Sequence, residues 1–298
     1  MDWVLLSLAS AIAFTAFTIV QKRALDRYVR SAVTFYAITA VMQLSIAVVL
    51  LSFWPPELLT TGVAVMVAVG ILQAVMHLLQ GYAIKRATDV SRIVPVFDSF
   101  PLPVFILAVA FLGEELTPLK LAAVFMVISG AMLASWRKAL PGDRMRISRP
   151  LVAILAATLV VSVMTILFKV ASADLTVLQM VGLSWLFSSP TYLVAARIGH
   201  AGEDIRAALR SVPAMGHIGA AHVVMLVSIL SGLAAIAIGP VSLSSAIMGT
   251  RPVFLLLFVM ASGFGFRDAM RRGHRHGLPR TSWASASLVS VGVGVMAF

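Results

Sequence analysis

The chain has 298 residues, of which 60% are hydrophobic and 12% are charged, and its formal net charge is +11. Soluble globular domains average roughly 45–50% apolar and about 25% charged residues, so this composition excludes a soluble enzyme or binding domain and predicts an integral membrane protein. The sequence contains no cysteine, which excludes disulfides, thiolate metal sites and thiol nucleophiles.

Ten apolar runs are separated by charged or Pro/Gly-rich breaks, and each is close to the length, roughly 20 residues, that crosses a hydrocarbon core. We therefore predict an all-α integral membrane protein with ten transmembrane helices. In chain order, the predicted spans 1 to 10 cover residues 3–21, 31–54, 60–83, 91–112, 118–136, 150–168, 175–196, 212–236, 241–263 and 281–298. Span 1 lacks a basic region before it and a small-residue cleavage site after it, so we expect a retained span and not a signal peptide.

The basic residues fall in alternate loops. Of the 23 Lys and Arg residues, 20 follow spans 1, 3, 5, 7 and 9, whereas the loops on the other side hold only Lys120 and Lys169, and Arg251 lies within a span. Short cytoplasmic loops retain Lys and Arg, so we predict that both termini lie outside the cytoplasm. We expect a multi-pass protein of the bacterial inner (cell) membrane, whose positive charge meets anionic lipid and not nucleic acid.

Sequence matches in the same order divide the chain into two halves. A hydroxyl, a hydroxyl and a lysine on one helix face recur in spans 1 and 6, as Thr15, Thr18 and Lys22 and again as Ser162, Thr165 and Lys169. Pro103-Val-Phe recurs as Pro252-Val-Phe, the region of Gly81 as that of Gly232, and Gly130-Ala-Met as Gly294-Val-Met. We predict a first five-helix repeat over residues 1–137, a basic linker over 138–149 and a second repeat over 150–298. An odd number of spans per repeat inverts the second one, an architecture typical of alternating-access transporters.

These features resemble a known family. Span 4 runs from Ser91-Arg-Ile-Val-Pro95 through Pro103-Val-Phe and is followed by Leu112-Gly113-Glu114-Glu115-Leu116-Thr117, with Gly130 near the end of span 5. With the two five-span repeats, this is similar to the EamA-type transporters of the drug/metabolite transporter superfamily over the whole chain. The resemblance implies a transporter of amino acids, drugs or other metabolites, or an exchanger of nucleotide sugars. The chain departs from the family in having Gly265-Phe-Arg267-Asp268 in place of a second Gly-Glu, and in its predicted outside termini.

Asp98 lies inside a predicted span beside Pro101 and Pro103. A carboxylate at mid-bilayer costs roughly 2.5–3.5 kcal/mol on insertion scales, so Asp98 is either a hydrogen-bonded structural residue or a proton or substrate site. The two prolines detach the carbonyls of Phe97 and Ser99 from helical pairing. We expect these groups either to line a cavity, as in the broken helices of transporters, or to be paired by neighbouring hydroxyls in a simple kink.

Arg251 precedes Pro252 in the matching span of the second half. A buried guanidinium retains its proton and requires an anion, so Arg251 either pairs with Asp98 or binds an anionic group of a substrate. In span 3, Gln73, His77 and Gln80 form a polar stripe on one helix face. The predicted substrate or ion pathway combines the charged residues, the polar stripe with its counterparts in span 8, and the hydroxyls shared by spans 1 and 6. Its residues are Asp98, Arg251, Gln73, His77, Gln80, Ser228, Ser231, Thr18 and Thr165, with helix breaks at Pro101, Pro103 and Pro252.

The sequence thus predicts a secondary transporter that moves a small polar or amphipathic metabolite by alternating access, with proton coupling left open. The alternatives are a membrane-embedded enzyme and a non-transporting scaffold. The cluster from Arg271 to His276 lacks a nearby carboxylate pair or nucleophile motif, and a scaffold has little need for charges at mid-bilayer. The sequence carries no Walker motif. We expect no enzymatic activity, no cofactor and no metal; the expected partners are a small-molecule substrate and the lipid bilayer, with no nucleic acid, in a monomer or homodimer.

Overall fold

The structure, a computed structural model, describes residues 2–86, 94–115, 117–135, 149–261 and 280–297. In these ranges all regular secondary structure is helical. The helices are α1 (Asp2–Arg27), α2 (Ala32–Phe53), α3 (Thr61–Arg86), α4 (Val94–Phe97), α5 (Pro101–Leu112), α6 (Pro118–Ser135), α7 (Arg149–Ala171), α8 (Val177–Ile198), α9 (Gly202–Leu209), α10 (Val212–Ile238), α11 (Val241–Met248), α12 (Arg251–Ala261) and α13 (Arg280–Ala297). Most of the predicted basic linker lies outside the described residues.

Six of these helices are long and apolar enough to cross a membrane, namely α1, α2, α3, α7, α8 and α10. Shorter apolar helical stretches lie at Pro101–Leu112, Pro118–Gly130 and Ser287–Met296. Large apolar side chains face outward on several helices; Leu5, Phe111 and Ile198 are 66%, 75% and 73% exposed. Such surfaces are stable against lipid and not against water, so the protein is an integral, multi-pass membrane protein.

Two predicted spans are divided into shorter helices. Span 4 corresponds to α4 and α5, separated by a turn at residues 98–100, and span 9 to α11 and α12, separated at residues 249–250. The sequence analysis did not predict α9, a short helix with Glu203 and Asp204 in its first turn. Helix ends elsewhere follow local sequence: Ser31 and Ser211 cap α2 and α10, and Thr176 with Gln179 forms a capping box on α8.

The central helices pack in pairs between the halves. Helix α1 lies against α10, α3 against α7, α2 against α8 and α6 against α13. Small residues allow close approach: a Cβ on Gly70 of α3 would lie 2.5 Å from Phe187 Cβ of α8. Between α1 and α10, the Ser10 hydroxyl donates to the Ser228 carbonyl (2.9 Å) and the Ser228 hydroxyl donates to the Ser10 carbonyl (3.1 Å).

The loops lie at two ends of the bundle. At one, which we term the basic end, the loop after α1 contacts α10 and α9. The rings of Tyr28 and His217 of α10 have centroids 4.8 Å apart, and the Arg30 amide donates to Asp204 of α9 (3.1 Å). At the opposite end, Gln179 donates to the Pro55 carbonyl (3.1 Å). The loops after spans 1 and 7, which were predicted to lie on one side of the membrane, therefore lie at the same end of the bundle, and the loops after spans 2 and 6 lie at the other.

Candidate functional site

The two helix breaks lie against each other in the interior of the bundle. Gly249, in the break between α11 and α12, packs on the break between α4 and α5: a Cβ at this position would lie 2.6 Å from Pro101 Cγ and 3.4 Å from the Asp98 carbonyl oxygen. A distance of 2.6 Å is too short for two carbon atoms, so only glycine permits this approach. The sequence predicted the second break at Pro252, and Gly249 was not among the predicted residues.

The carbonyls released by the prolines are paired locally. The Phe97 carbonyl accepts from the Phe100 amide (3.1 Å) and the Ser99 carbonyl accepts from the Leu102 amide (3.0 Å). Hydroxyls of α7 add further bonds, from Ser162 to the Phe100 carbonyl (3.2 Å) and from Thr158 to the Val96 carbonyl (3.2 Å). Of the two alternatives that the sequence left open for these carbonyls, the structure therefore shows the paired backbone, because a tight turn restores their bonds three residues on.

The second break is contacted in the same way from the first half. The Thr15 hydroxyl of α1 lies 3.4 Å from the Arg251 carbonyl oxygen, as that of Ser162 in α7 lies against Phe100. Thr15 and Ser162 are the residues that the repeated motif equates. Each half thus directs a hydroxyl of its first span to the backbone at the broken helix of the other half.

Asp98 and Arg251 meet where the breaks cross. Arg251 Nη1 lies 3.8 Å from Asp98 Oδ1, and the two side chains are 12% and 6% exposed. The guanidinium carbon lies 3.8 Å from the ring centroid of Phe14 and 5.2 Å from that of Phe100, within the range of cation–π attraction. A close bidentate pair has N to O distances of about 2.7–2.9 Å, so this single long contact leaves Arg251 donors available to another group.

Two cavities adjoin this charge pair. The larger, of about 110 Å³, is bordered by Ser10, Phe168 and Ile236 and extends toward the opposite end. The smaller, of about 30 Å³, is bordered by Thr18 and Ile84 and extends toward the basic end. Both exceed the roughly 10–15 Å³ that one water molecule requires. The cavities share Phe14, Phe97 and Arg251, which therefore lie between them.

The structure brings most of the predicted pathway residues to these cavities. Gln73, His77, Thr165 and Ser228 line the larger cavity, Thr18, Gln80, Asp98 and Pro252 the smaller, and Arg251 both. Ser231 lines neither. The sequence analysis missed Ser245, which lines the larger cavity and sits in the middle of the short helix α11, where no charge or proline marked it.

Several lining side chains are buried without a protein partner for a polar atom. These atoms are Gln73 Nε2 and Oε1, His77 Nε2, Gln80 Oε1 and Ser245 Oγ. Buried polar atoms in folded proteins are nearly always hydrogen-bonded to protein or water. Their convergence on the cavities therefore indicates contact with water or a polar solute. Among the described residues, no group of three His, Cys, Asp or Glu could hold a metal ion.

Comparison with known proteins agrees with this architecture. The fold and the buried site define a helical, multi-pass membrane protein. The sequence model of the EamA-like transporter family matches residues 1–136, a match consistent with the drug/metabolite transporter superfamily. No curated protein matches the chain. A protein of known crystal structure aligns with 99% of this chain and 96% of its own, with a TM-score of 0.70 and 15% identity, a likeness that concerns the fold alone.

Proposed function

We propose that the protein is a secondary transporter of ten spans in two inverted five-helix repeats, which moves a small amphipathic solute by alternating access. The observation that carries this proposal is the crossing of two broken helices at a buried charge pair, with one cavity on each side of it. Broken helices that meet near the midplane form the binding sites of inverted-repeat transporters. A scaffold would gain nothing from a charge pair placed between cavities.

The helix contacts support the inverted repeat. Exchange of the two halves converts the α1 and α10 pair into the α7 and α3 pair, and leaves the α2 and α8 pair and the α6 and α13 pair in place. The Thr15 and Ser162 contacts to the opposite breaks obey the same exchange. We therefore extend the family assignment from residues 1–136 to the second half.

Contacts at the opposite end support a conformation closed on that side. Lys169 Nζ of α7 donates to three carbonyls at the end of α10, those of Ile236 (3.0 Å), Ala237 (3.0 Å) and Gly239 (3.2 Å). The Asp174 carboxylate accepts from the Gly62 amide at the start of α3 (2.8 Å). These bonds hold the ends of α3, α7 and α10 together.

Among the described residues, the repeat partner of Lys169 makes no such bond to another helix. Lys22, the repeat partner of Lys169, instead pairs with Asp26 on its own helix (2.6 Å), where both side chains are at least one-third exposed. At the basic end, the bonds between central helices are fewer among the described residues: Lys85 Nζ of α3 donates to the Leu25 carbonyl of α1 (3.2 Å), and Asp204 joins α9 to Thr34 of α2 (2.6 Å). Alternating access predicts such a difference, with the two sets of residues exchanging roles in the other conformation.

The lining indicates the kind of solute. Phe14, Phe97, Phe100, Met76, Met164, Met225 and Met248 supply most of the apolar wall of the larger cavity. The polar side chains of this cavity are fewer than its apolar ones and are Ser10, Gln73, His77, Thr165, Ser228, Ser245 and Arg251. We therefore propose a solute with an apolar body and a small polar head.

If transport is coupled to protons, we assign proton exchange to Asp98. In this proposal, the basic end of the bundle lies in the cytoplasm of a bacterial cell.

The test is uptake into proteoliposomes of a panel of amino acids, nucleotide sugars and cationic drugs, with and without a pH gradient. We expect saturable uptake of at least one solute. Asp98→Asn and His77→Ala should lower it at least tenfold, equivalent to about 1.4 kcal/mol, while Ser231→Ala, outside both cavities, retains wild-type flux. Wild-type flux from both folded cavity variants would overturn the site, and no uptake of any solute would overturn transport of these classes.

A further inference from the structure

The two ring nitrogens of His77 have different surroundings. Nδ1 lies 2.5 Å from the hydroxyl oxygen of Tyr192 on α8, whereas Nε2 is buried without a protein partner on a residue that lines the larger cavity. A neutral imidazole has one nitrogen that donates and one that accepts. The tautomer of His77 therefore decides whether this position offers the cavity a hydrogen-bond donor or an acceptor.

The hydroxyl of Tyr192 is placed to donate to Nδ1. The 2.5 Å contact is formed either by the phenol O–H or by an imidazole N–H as the donor. A phenol is a far stronger hydrogen-bond donor than a neutral imidazole N–H, because a phenol ionises near pH 10. Nδ1 is thus the accepting nitrogen, and the ring proton resides on Nε2.

Two tyrosines prevent the ring from turning away. The ring of Tyr36 lies parallel to that of His77, with centroids 5.1 Å apart and an interplanar angle of 9°, and also stacks on Tyr192 at 5.5 Å and 15°. Gln21 Nε2 fixes Tyr36 by donating to its hydroxyl oxygen (2.8 Å). The stack fixes the imidazole plane, and the bond to Tyr192 fixes its rotation within that plane.

We propose that Tyr192 is a positioning residue that holds His77 as the Nε2–H tautomer, so that the larger cavity receives a hydrogen-bond donor at this point. The Gln73 amide group, one turn earlier, and the Arg251 guanidinium line the same cavity, so this cavity suits a solute that carries an acceptor oxygen, such as a carboxylate or carbonyl. This statement about the solute rests on the proposed transport function, whereas the statement about the tautomer does not.

The tautomer is measured directly by nitrogen NMR of the full chain, labelled with ¹⁵N-histidine and held in lipid nanodiscs. The protein contains six histidines, and the signals of His77 are identified by their loss in His77→Gln. We expect a protonated Nε2 and an unprotonated Nδ1 in the wild type. In Tyr192→Phe, which keeps the stacked ring and removes only the donor, the Nδ1–H form should appear.

Tyr36→Phe is the matched control. It removes a hydroxyl from the other stacked ring, one that bonds Gln21 and not His77, so the His77 tautomer should stay as in the wild type. For a carboxylate-bearing solute from the transport panel, Tyr192→Phe should raise KM by roughly three- to tenfold, as expected for one weakened hydrogen bond, with a smaller change in kcat. His77→Gln, which keeps an N–H donor, should retain more activity than His77→Ala.

Wild-type His77 protonated at Nδ1, or at both nitrogens near neutral pH, would overturn the proposal even where Tyr192→Phe does not fold. An unchanged tautomer in folded Tyr192→Phe would overturn it as well. An unchanged KM beside a changed tautomer would overturn the role in solute binding. Absence of all transport, with the expected NMR result, would contradict the proposed function and leave the assignment of Tyr192 supported.

Discussion

At the scale of single residues, the charge pair decides how the interior must be built. Removal of water from two charges costs several kcal/mol for each, and their attraction offsets this only with good geometry. The 3.8 Å contact between Arg251 and Asp98 is long, and the Phe14 and Phe100 rings give the guanidinium further support. The ion pair by itself therefore stabilises the fold only weakly. Its remaining hydrogen-bonding capacity allows it to bind another polar group.

This view gives a prediction for a double-mutant cycle. Arg251→Met strands the Asp98 carboxyl and should lower the free energy of unfolding by roughly 3–5 kcal/mol, whereas addition of Asp98→Leu should restore much of the loss. Thermal unfolding of the single and double variants in the same detergent measures the coupling. Additive losses would contradict the pair and would leave Arg251 as a solute ligand. Loss of solute affinity without loss of stability in Arg251→Met would favour the same alternative.

At the scale of helices, the close contact of the two breaks depends on one glycine. Neighbouring hydroxyls and tight turns satisfy the backbone at both breaks, so neither is held open by unpaired groups. What holds them together is the approach of Gly249 to Pro101, where a Cβ would lie 2.6 Å from Cγ. The proline ring is rigid and the Ala246 carbonyl oxygen, at 3.2 Å from the same Cβ, belongs to the backbone, so neither neighbour can move away easily.

Gly249→Ala should therefore lower the unfolding temperature and separate the two breaks, with a loss on the order of 1–3 kcal/mol, the usual effect of overpacking. Gly216→Ala is the matched control, because a Cβ at Gly216 in α10 meets nothing within 4 Å and alanine is favoured over glycine inside a helix by roughly 0.5–1 kcal/mol. The two unfolding temperatures are compared in one detergent. Equal stability of both variants would show that the breaks are not closely packed.

At the scale of the whole molecule, six of the predicted spans coincide with the long apolar helices α1, α2, α3, α7, α8 and α10, because apolar length and breaks are properties of the sequence itself. The charge pair was also predictable, since Asp98 and Arg251 are the charges that interrupt matching spans. Tyr192 and Ser245 were not, because neither breaks an apolar pattern and their importance comes from neighbours on other helices. The ends of α1 and α3 extend several residues beyond the predicted spans, since helical hydrogen bonding continues past the apolar run into the basic segments.

Orientation in the membrane follows from the 20 basic residues that lie in alternate loops. We predict that a reporter fused after Phe298 is active outside the cytoplasm, and that the same reporter inserted within residues 273–277 is active inside. Paired reporters, such as one active only in the periplasm and one fluorescent only in the cytoplasm, measure both positions. A cytoplasmic C-terminus would contradict the predicted orientation with both termini outside.

Glu114 offers the sharpest test of a closed opposite end. Its carboxylate accepts from the amides of Val241 (2.5 Å) and Ser242 (3.1 Å) and from the Ser242 hydroxyl, and so joins the end of α5 to the start of α11 in the other half. A carboxylate at a helix N-terminus is stabilised by the free amides there and by the helix dipole. Loss of these bonds should cost about 0.5–2 kcal/mol and should favour the conformation open at this end.

Because the chain has no cysteine, opening can be measured with one introduced thiol. Ser245→Cys places it in the larger cavity, at a position that is 0% exposed. A membrane-impermeant maleimide added at the opposite end should label this cysteine slowly, and Glu114→Ala should increase the rate by roughly two- to thirtyfold, the range that 0.5–2 kcal/mol corresponds to. Glu115→Ala removes the exposed neighbouring carboxylate and should leave the rate unchanged. Equal labelling rates in the two variants would contradict the role of Glu114. A faster rate with Glu114→Ala alone would place the closed side of the transporter at this end, because only opening there exposes the cysteine at position 245 to the reagent.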